Sequence, residues 1–265
     1  MKLQKIAFGV VLCFALVLNG QVNAPRPGFV RYQDGFIASV YGVAANFVLR
    51  NSPFPLSDEA SFSDSGGLLA SKGVIQLMRS DGVIEAQYDS HESAPVLSIT
   101  GGPSTAIAWL PSRRAVLYWT GAKFASVELG GALPQGTISS VSAAENSQAR
   151  ILITQANGAV LNCIVRLTSG TVLSCDLLPG VKGPAFEHHG YLVFEDDRGL
   201  EVQDQSSAVQ TLAATAGDLQ FQRMSSDWLH LYSARTGQHW ALRLTPPDVN
   251  LSLLPAAHSA QKGSE

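Results

Sequence analysis

The 265-residue sequence has little charge, little cysteine and no apolar run long enough to span a bilayer. Charged residues make up 15% of the chain, with 18 basic against 21 acidic residues and no run of three or more basic residues. This composition argues against nucleic acid and against an anionic membrane surface as partners. The sequence also contains no Gly-x-Ser-x-Gly elbow, no phosphate-cradling loop and no Asp-box of the sialidase type. The sequence therefore does not indicate a serine-hydrolase, nucleotide-binding or sialidase site.

The longest apolar run covers residues 6–18, which is 13 residues, and two lysines precede it. A membrane-spanning helix needs about 20 apolar residues, whereas a shorter run behind basic residues is typical of a secretory signal peptide. We predict a signal peptide over residues 1–24, cleaved after Ala24 or after Gly20, and a short N-terminal membrane anchor is the alternative. Cleavage would leave a secreted or periplasmic protein with no membrane span in the mature chain.

Short apolar segments separated by turn residues fill the rest of the chain, in keeping with its 24 glycines and 13 prolines. Asp81-Gly82 separates the apolar segments 74–78 and 83–88, and an Asp-Gly between two such segments is a strong hairpin signal. A similar unit recurs at intervals of 37 to 41 residues. Its glycines are Gly82, Gly121, Gly158, Gly199 and Gly237, with Gly35 as a sixth near the N-terminus.

A period near 40 residues with several short strands per unit is typical of a β-propeller blade. We predict an all-β protein with one β-propeller domain over residues 25–256, followed by a polar disordered tail over residues 257–265. The propeller has about six blades of mostly four antiparallel strands, with five or seven blades as alternatives. The recurrent glycine hairpin is taken as the centre of each blade.

The strands on either side of each central hairpin follow from this assignment. The segments "EASFS", "TAIAWL", "ISSVSA", "PAFEH" and "LQFQR" are predicted innermost, and "APVLSIT" is predicted as the outer strand of the second blade. The N-terminal blade has no obvious innermost strand. Either "NLSLLP" joins that blade, or the blade has three strands.

The stretch "FSDSGGLLA…SDGVIEAQYD" resembles the WD-repeat and TolB-type blade pattern found in secreted bacterial β-propellers, in which a Phe-Ser-Pro-Asp-Gly-like turn precedes Leu-Ala and then Asp-Gly. The matching residues are Phe62, Ser63, Gly66, Leu69, Ala70, Asp81 and Gly82. "WLPSRRAVLYW" and "RMSSDWLHLY" are weaker examples of the same turn. The resemblance implies a fold and no particular reaction.

Cys163 and Cys175 belong to a predicted strand–loop–strand unit, "LNCIVRLTSGTVLSC". If Leu167 faces Thr171 across the three-residue loop, the two cysteines face each other directly. Opposed residues of antiparallel strands have Cα atoms about 4.5–5.5 Å apart, which is within disulfide range. In an exported chain this register favours a structural disulfide, and two buried free thiols are the alternative.

The remaining polar residues give weaker indications of a site. None of the six histidines has metal-ligand spacing with a cysteine or carboxylate, so neither a metal site nor a cofactor is predicted. Asp196 and Asp197 lie in an acidic cluster at one hairpin turn, and Asp81 and Arg235 lie at two others. We assign these four residues to one rim of the propeller, on the face where ligands commonly bind, although turns favour aspartate for structural reasons alone.

Two functional interpretations follow. The first is an exported, non-catalytic β-propeller that acts as a protein-interaction scaffold or ligand-binding module, with an unidentified protein or small ligand as partner. The second is a propeller enzyme of the lactonase, lyase or glycosidase type with its site at the central channel. Such an enzyme needs several carboxylates, histidines or a metal at the channel mouth. The predicted innermost strands contain mostly Ser, Ala, Phe and Gln, with Glu187 and Arg223 as ionisable members, so the first interpretation is favoured.

Overall fold

The computed structural model describes residues 24–213, 217–246 and 248–256. The predicted signal peptide, apart from its last residue, and the predicted tail over residues 257–265 lie outside the described residues. Within the described part of the chain the helical segments are two 3-10 turns, Pro103–Thr105 and Gly130–Ala132. No helix there is long and apolar enough to cross a membrane.

The strands form six antiparallel sheets, one per blade, and five of them have four strands. The first three blades contain β1 (Gly28–Arg31), β2 (Ile37–Val43) and β3 (Asn46–Asn51); β4 (Glu59–Ser63), β5 (Gly66–Ser71), β6 (Val74–Arg79) and β7 (Ile84–Asp89); and β8 (Val96–Ser98), β9 (Ile107–Leu110), β10 (Ala115–Trp119) and β11 (Phe124–Glu128). The last three contain β12 (Thr137–Ala144), β13 (Gln148–Thr154), β14 (Ala159–Arg166) and β15 (Thr171–Lys182); β16 (Ala185–His188), β17 (Tyr191–Asp196), β18 (Gly199–Gln203) and β19 (Val209–Leu212); and β20 (Leu219–Arg223), β21 (Trp228–Ser233), β22 (His239–Thr245) and β23 (Asp248–Leu253).

The predicted fold class is therefore confirmed: the structure is a β-propeller of six blades with antiparallel strands. Each interface between neighbouring blades holds its own cluster of buried apolar side chains, including the interface between blade 6 and blade 1. The strands in the middle of each blade are apolar because both of their faces are covered in this way. Burial between blades closes the ring.

The innermost strands of blades 2 to 6 run in the same direction along the channel. The Ser61 hydroxyl accepts from Ile99 N, and the Ser65 hydroxyl donates to Gly101 O. The higher-numbered residue of blade 2 thus contacts the higher-numbered residue of blade 3, so β4 and β8 run parallel. Because antiparallel strands alternate in direction, the turns after each second strand lie at one end of the channel. The turns after each first and third strand lie at the other end.

Blade 1 lacks an innermost strand of this kind. Phe29 N donates to Met224 O at 3.1 Å, whereas Arg31 N donates to Gln222 Oε1 at 3.2 Å, so β1 runs antiparallel to β20. In direction β1 therefore corresponds to the second strand of the other blades. The Gln222 side chain also donates to Ala60 O at 3.0 Å, which joins blade 6 directly to blade 2. Of the two predicted arrangements the three-stranded blade is correct, because "NLSLLP" pairs with β22 instead.

The predicted phase of blades 2 and 3 is wrong. Gly82 and Gly121 lie between third and fourth strands, whereas Gly158 and Gly237 lie between second and third strands and Gly199 begins the third strand of blade 5. The second-to-third turn of blade 2 is instead Lys72-Gly73, with φ of 51° and 78°. Consequently "APVLSIT" supplies β8, the innermost strand of blade 3, and "TAIAWL" supplies the second strand of that blade.

Blade 4 contains the disulfide. Cys163 in β14 lies directly opposite Cys175 in β15, and an S–S bond joins the two side chains. Cys163 is fully buried and packs in the cluster between blades 3 and 4 together with Ile151 and Val165. The bond therefore ties the outermost strand of blade 4 to a strand that is anchored in the core.

Candidate functional site

A cavity of about 510 Å³ lies at one mouth of the channel. It lies at the end where the turns after the second strands gather, and residues from all six blades line it. A volume of this size is within the range of small-molecule sites in proteins. Its lining includes the side chains of Arg31, Tyr32, Glu59, Thr137, Phe186, Phe221, Gln222, Arg223, His230, Tyr232 and His239.

The floor of the cavity is the guanidinium of Arg223, whose side chain is 1% exposed. Arg223 Nη1 donates to His188 Nδ1 at 2.6 Å and Nη2 donates to Glu187 O at 2.6 Å, both in blade 5. Arg223 Nε donates to Ser98 Oγ at 3.3 Å in blade 3. Arg223 therefore crosses the channel and braces three blades against one another.

Burial determines the protonation states of Arg223 and His188. Desolvation lowers the pKa of Arg223 to about 10, and the Glu187 carboxylate at 3.9 Å partly opposes that effect. At neutral pH the guanidinium therefore keeps its charge. Burial, followed by the charge of Arg223, holds the pKa of His188 well below its usual range. His188 is thus neutral and accepts through Nδ1, so its proton is on Nε2.

A chain of hydrogen bonds runs along the wall of the mouth through Gln222, His230 and His239. His230 Nδ1 lies 3.1 Å from Gln222 Oε1, and His230 Nε2 lies 2.9 Å from His239 Nδ1. The planes of the two imidazole rings are parallel, with an interplanar angle of 1° and centroids 5.1 Å apart, so the hydrogen bond joins the rings edge to edge. The β21–β22 hairpin places both rings on the same face of blade 6, because His239 faces Tyr232, two residues beyond His230.

The hydrogen-bond partners determine which ring nitrogen of His230 and of His239 carries the proton. Gln222 Nε2 donates to Ala60 O and Gln222 Oε1 accepts from Arg31 N, so the oxygen is the side of the amide that faces His230. His230 must then donate through Nδ1 and accept through Nε2, and His239 must donate through Nδ1. The Nε2 atom of His239 is left as an acceptor on a side chain that lines the cavity.

The pKa values agree with two neutral rings. Desolvation, followed by the charges of His239 and Arg31, holds the pKa of His230 well below its usual range. Desolvation lowers the pKa of His239 to about 4. Both imidazoles are therefore uncharged at neutral pH, and His239 acts as a hydrogen-bond acceptor and not as a cation.

Two tyrosines hold His239 in place. The ring centroid of Tyr232 lies 4.5 Å from that of His239, and the centroid of Tyr32 lies 4.7 Å from it on another blade. The Tyr32 hydroxyl donates to Pro255 O at 2.9 Å, which connects blade 1 to the segment after β23. Burial, with a smaller contribution from Asp34, raises the pKa of Tyr32, so the phenol stays protonated and continues to donate.

The accessible charges at the mouth are Arg31 and Glu59. Their closest N···O distance is 3.6 Å, which is longer than a good hydrogen bond, and the two side chains are 19% and 41% exposed. Arg31 Nη1 also donates to Tyr32 O at 3.3 Å. Desolvation raises the pKa of Glu59, and the nearby Arg31 guanidinium lowers it by less. Arg31 is therefore held loosely beside the opening.

The fold shown by the six sheets is supported by one of the solved structures that the chain resembles. A chain in the structure of a nidogen/laminin complex matches with a TM-score of 0.54 and 11% identity over 87% of this chain and 93% of that chain. The β-propeller domain of Cps50 (Swd1) from Myceliophteria thermophila matches with a TM-score of 0.49 and 11% identity, over 88% of this chain and 90% of that one. The WD40 domain of coronin from Toxoplasma gondii matches with a TM-score of 0.41 and 10% identity, over 84% and 68%. The chain is a six-bladed β-propeller.

Sequence comparisons add nothing to this assignment. No protein-family model matches the chain, and no curated protein matches it either. At identities near 11% the structural likeness concerns the fold alone, because unrelated functions share the propeller architecture. The function must therefore be argued from the site.

The four predicted rim residues of the propeller do not form one site. Asp197 and Arg235 lie in second-to-third turns at the end of the channel that holds the cavity, and Asp196 ends the strand before one of them. None of the three lines the cavity. Asp81 lies in a third-to-fourth turn, at the opposite ends of the strands, so its assignment to the same rim is wrong. Asp81 pairs with Arg79, and Asp196 accepts from Arg198 Nη2 at 2.9 Å, which are contacts within their own turns.

The residues that do line the mouth were mostly missed by sequence reasoning. Arg31, Glu59 and Tyr32 are not close to His230 and His239 in sequence, and only ring closure brings them together. One signal was present: His230 and His239 flank the turn of one predicted hairpin and face each other only if its loop is long. The sequence does not give that loop length, nor what the two rings contact. Among the described residues no group of three His, Cys, Asp or Glu side chains could hold a metal ion.

Proposed function

We propose that this propeller is an exported, non-catalytic binding module that takes a small ligand into the mouth of its channel. One observation carries the proposal: every blade contributes to a cavity of about 510 Å³ whose polar wall is already ordered by hydrogen bonds. A preorganised wall spares the ligand the cost of ordering side chains when it binds. A scaffold that binds a protein partner through the same mouth is the related form of this function.

The lining favours binding over the propeller-enzyme alternative. Glu59 is the one carboxylate among the described residues that line the cavity, whereas hydrolysis of a glycoside ordinarily uses a pair of carboxylates. His239, with a pKa of about 4, is a weak base at neutral pH. The side chains at the mouth are thus better suited to recognising a ligand than to moving its protons.

Export is supported by two observations of different kinds. The residues that precede the propeller have the pattern of a signal peptide. The Cys163–Cys175 disulfide is compatible with an oxidising extracellular or periplasmic location, where such bonds persist. Fractionation of expressing cells, with and without residues 1–24, tests the proposal. Retention of the full-length chain in the cytoplasm would contradict it.

The binding proposal is tested by filling the cavity. Thr137 is exposed at the mouth, so Thr137→Trp should occupy the cavity without removing a hydrogen bond of the wall. Val209→Trp, on the exposed outer strand β19, is the matched control. A screen of small polar molecules by thermal shift and calorimetry should give ligands that bind the natural chain and the control but not Thr137→Trp. If no molecule binds, or if every ligand found binds all three proteins equally, the mouth is not the site.

A further inference from the structure

The mouth of the propeller offers one accessible cation and one fixed acceptor. Arg31 reaches its opening with a loose ion pair to Glu59, whereas the second cation, Arg223, is fully committed to three partner groups in the floor. Glu59 is the only opposing carboxylate in the described lining. A ligand carboxylate can therefore form a charge-assisted hydrogen bond with Arg31, which neutral ligands cannot match.

The acceptor is Nε2 of His239. The chain from Ala60 O through Gln222 and His230 leaves His239 with its proton on Nδ1, so this side chain can only accept from a ligand. A ligand must therefore bring an O–H or N–H donor to this point of the wall. A group without such a donor would leave the imidazole nitrogen buried and unpaired, which is unfavourable.

Cation and acceptor line the same cavity and are linked by the hydrogen-bond chain of its wall. Arg31 N donates to Gln222 Oε1 at 3.2 Å, and the chain continues through His230 to His239. The ring of His239 contacts that of Tyr32, with centroids 4.7 Å apart. Phe186 and Phe221, with ring centroids 6.1 Å apart, line another part of the cavity. Apolar walls with a few placed polar groups are the usual composition of a small-molecule site. They suit the C–H faces of a compact ring.

We propose that the mouth binds a small hydroxy carboxylate of the sugar-acid type, with its carboxylate on Arg31 and a hydroxyl donating to Nε2 of His239. This inference rests on the proposed function, since it names the ligand class of the same cavity. It goes further by assigning a separate recognition role to each of two residues.

Three probes of similar size separate the two roles. Galacturonate carries the carboxylate and the hydroxyls, galactose carries hydroxyls alone, and cyclohexanecarboxylate carries the carboxylate alone. Calorimetry on the purified protein should show that galacturonate binds at least about tenfold more tightly than either of the others, because each lacks one of the two contacts. Equal affinity for galactose and galacturonate would overturn the inference, and so would absence of galacturonate binding at millimolar concentration.

Variants then assign the contacts. Arg31→Gln should weaken galacturonate binding about 10- to 100-fold and leave galactose binding unchanged, because the bond to Gln222 comes from the backbone of residue 31 and survives. Arg235→Gln is the matched control, since Arg235 is exposed at the same end of the channel but does not line the cavity. His239→Phe should keep the ring packing, remove the acceptor and leave His230 Nε2 without its donor. Galacturonate binding should therefore fall, while cyclohexanecarboxylate binding does not. Thermal unfolding confirms that each variant is folded.

The outcomes distinguish this inference from the broader proposal. If another ligand class binds and Thr137→Trp blocks it, the binding function stands and the hydroxy-carboxylate assignment fails. If Arg31→Gln and Arg235→Gln weaken galacturonate binding to the same extent, the effect is a general one of surface charge, and the contact with Arg31 is refuted.

Discussion

The disulfide of blade 4 should contribute a stability that can be calculated from its position in the chain. Cys163 and Cys175 are 12 residues apart, so the bond closes a loop of about 13 residues in the unfolded chain. Loop-closure entropy for that length corresponds to about 3 kcal/mol at 25 °C. For a domain of this size, that free energy corresponds to a shift of about 6–12 °C in Tm.

The cleanest comparison is between the oxidised and the reduced natural protein, because substitution of the fully buried Cys163 would also leave a cavity. The chain from residue 25 is unfolded in reductant, refolded under reducing conditions and compared with the oxidised form by urea denaturation. We expect the oxidised form to be more stable by about 3 kcal/mol. A difference below about 0.5 kcal/mol would refute the loop-entropy argument, because surface-level effects are of that size.

Three further predictions concern the ring and its mouth. Phe62 is buried between blades 1 and 2 against Phe29 and Phe54, so Phe62→Ala should destabilise the protein by about 3–5 kcal/mol in urea denaturation. Leu56→Ala is the control, because Leu56 is exposed. An equal loss of stability in both variants would contradict the importance of this packing. Gly28 has a φ of 149°, and an added Cβ would lie 2.2 Å from Met224 O, so Gly28→Ala should lower Tm sharply; an unchanged Tm would show that the contact between blades 6 and 1 is adjustable. The pKa of His239 is about 4 in the folded protein and near 6.5 in the unfolded chain, so the unfolded chain takes up a proton first and stability should fall as pH drops from about 6.5 towards 4. His239→Gln should flatten that part of the plot of stability against pH. A plot unchanged by the substitution would show that His239 does not cause the pH dependence.

Much of the fold could be predicted because each blade repeats the same local signals. Local sequence determines the strand lengths, the glycine turns and the register of the cysteine pair. Such properties can be predicted from a short stretch of residues. The phase error in blades 2 and 3 arose because the true second-to-third turn of blade 2 is Lys72-Gly73, in which a lysine adopts a positive φ of 51°. Asp81-Gly82 has the stronger hairpin composition, yet it lies one turn later.

The candidate site was far less predictable, since it is made by ring closure. The hydrogen bond between His230 and His239 is within one hairpin, and its prediction would require only the length of that hairpin's loop. Contacts such as Arg31 N to Gln222 Oε1 join residues 191 positions apart, and no local pattern indicates them. The buried position of Arg223 was also hidden, because arginine at the end of a polar strand ordinarily faces water.

Each blade is formed from one uninterrupted segment of chain, since the last strand of blade 6 pairs within its own sheet and not with blade 1. Pairing within each sheet therefore involves only residues that are near one another in sequence. Such short-range topologies fold faster than those in which distant strands must pair. Because a chain is synthesised from its N-terminus, one sheet can form before the residues of the next sheet have been added. We expect folding to proceed blade by blade in sequence order, with the meeting of the first and last sheets as its final event.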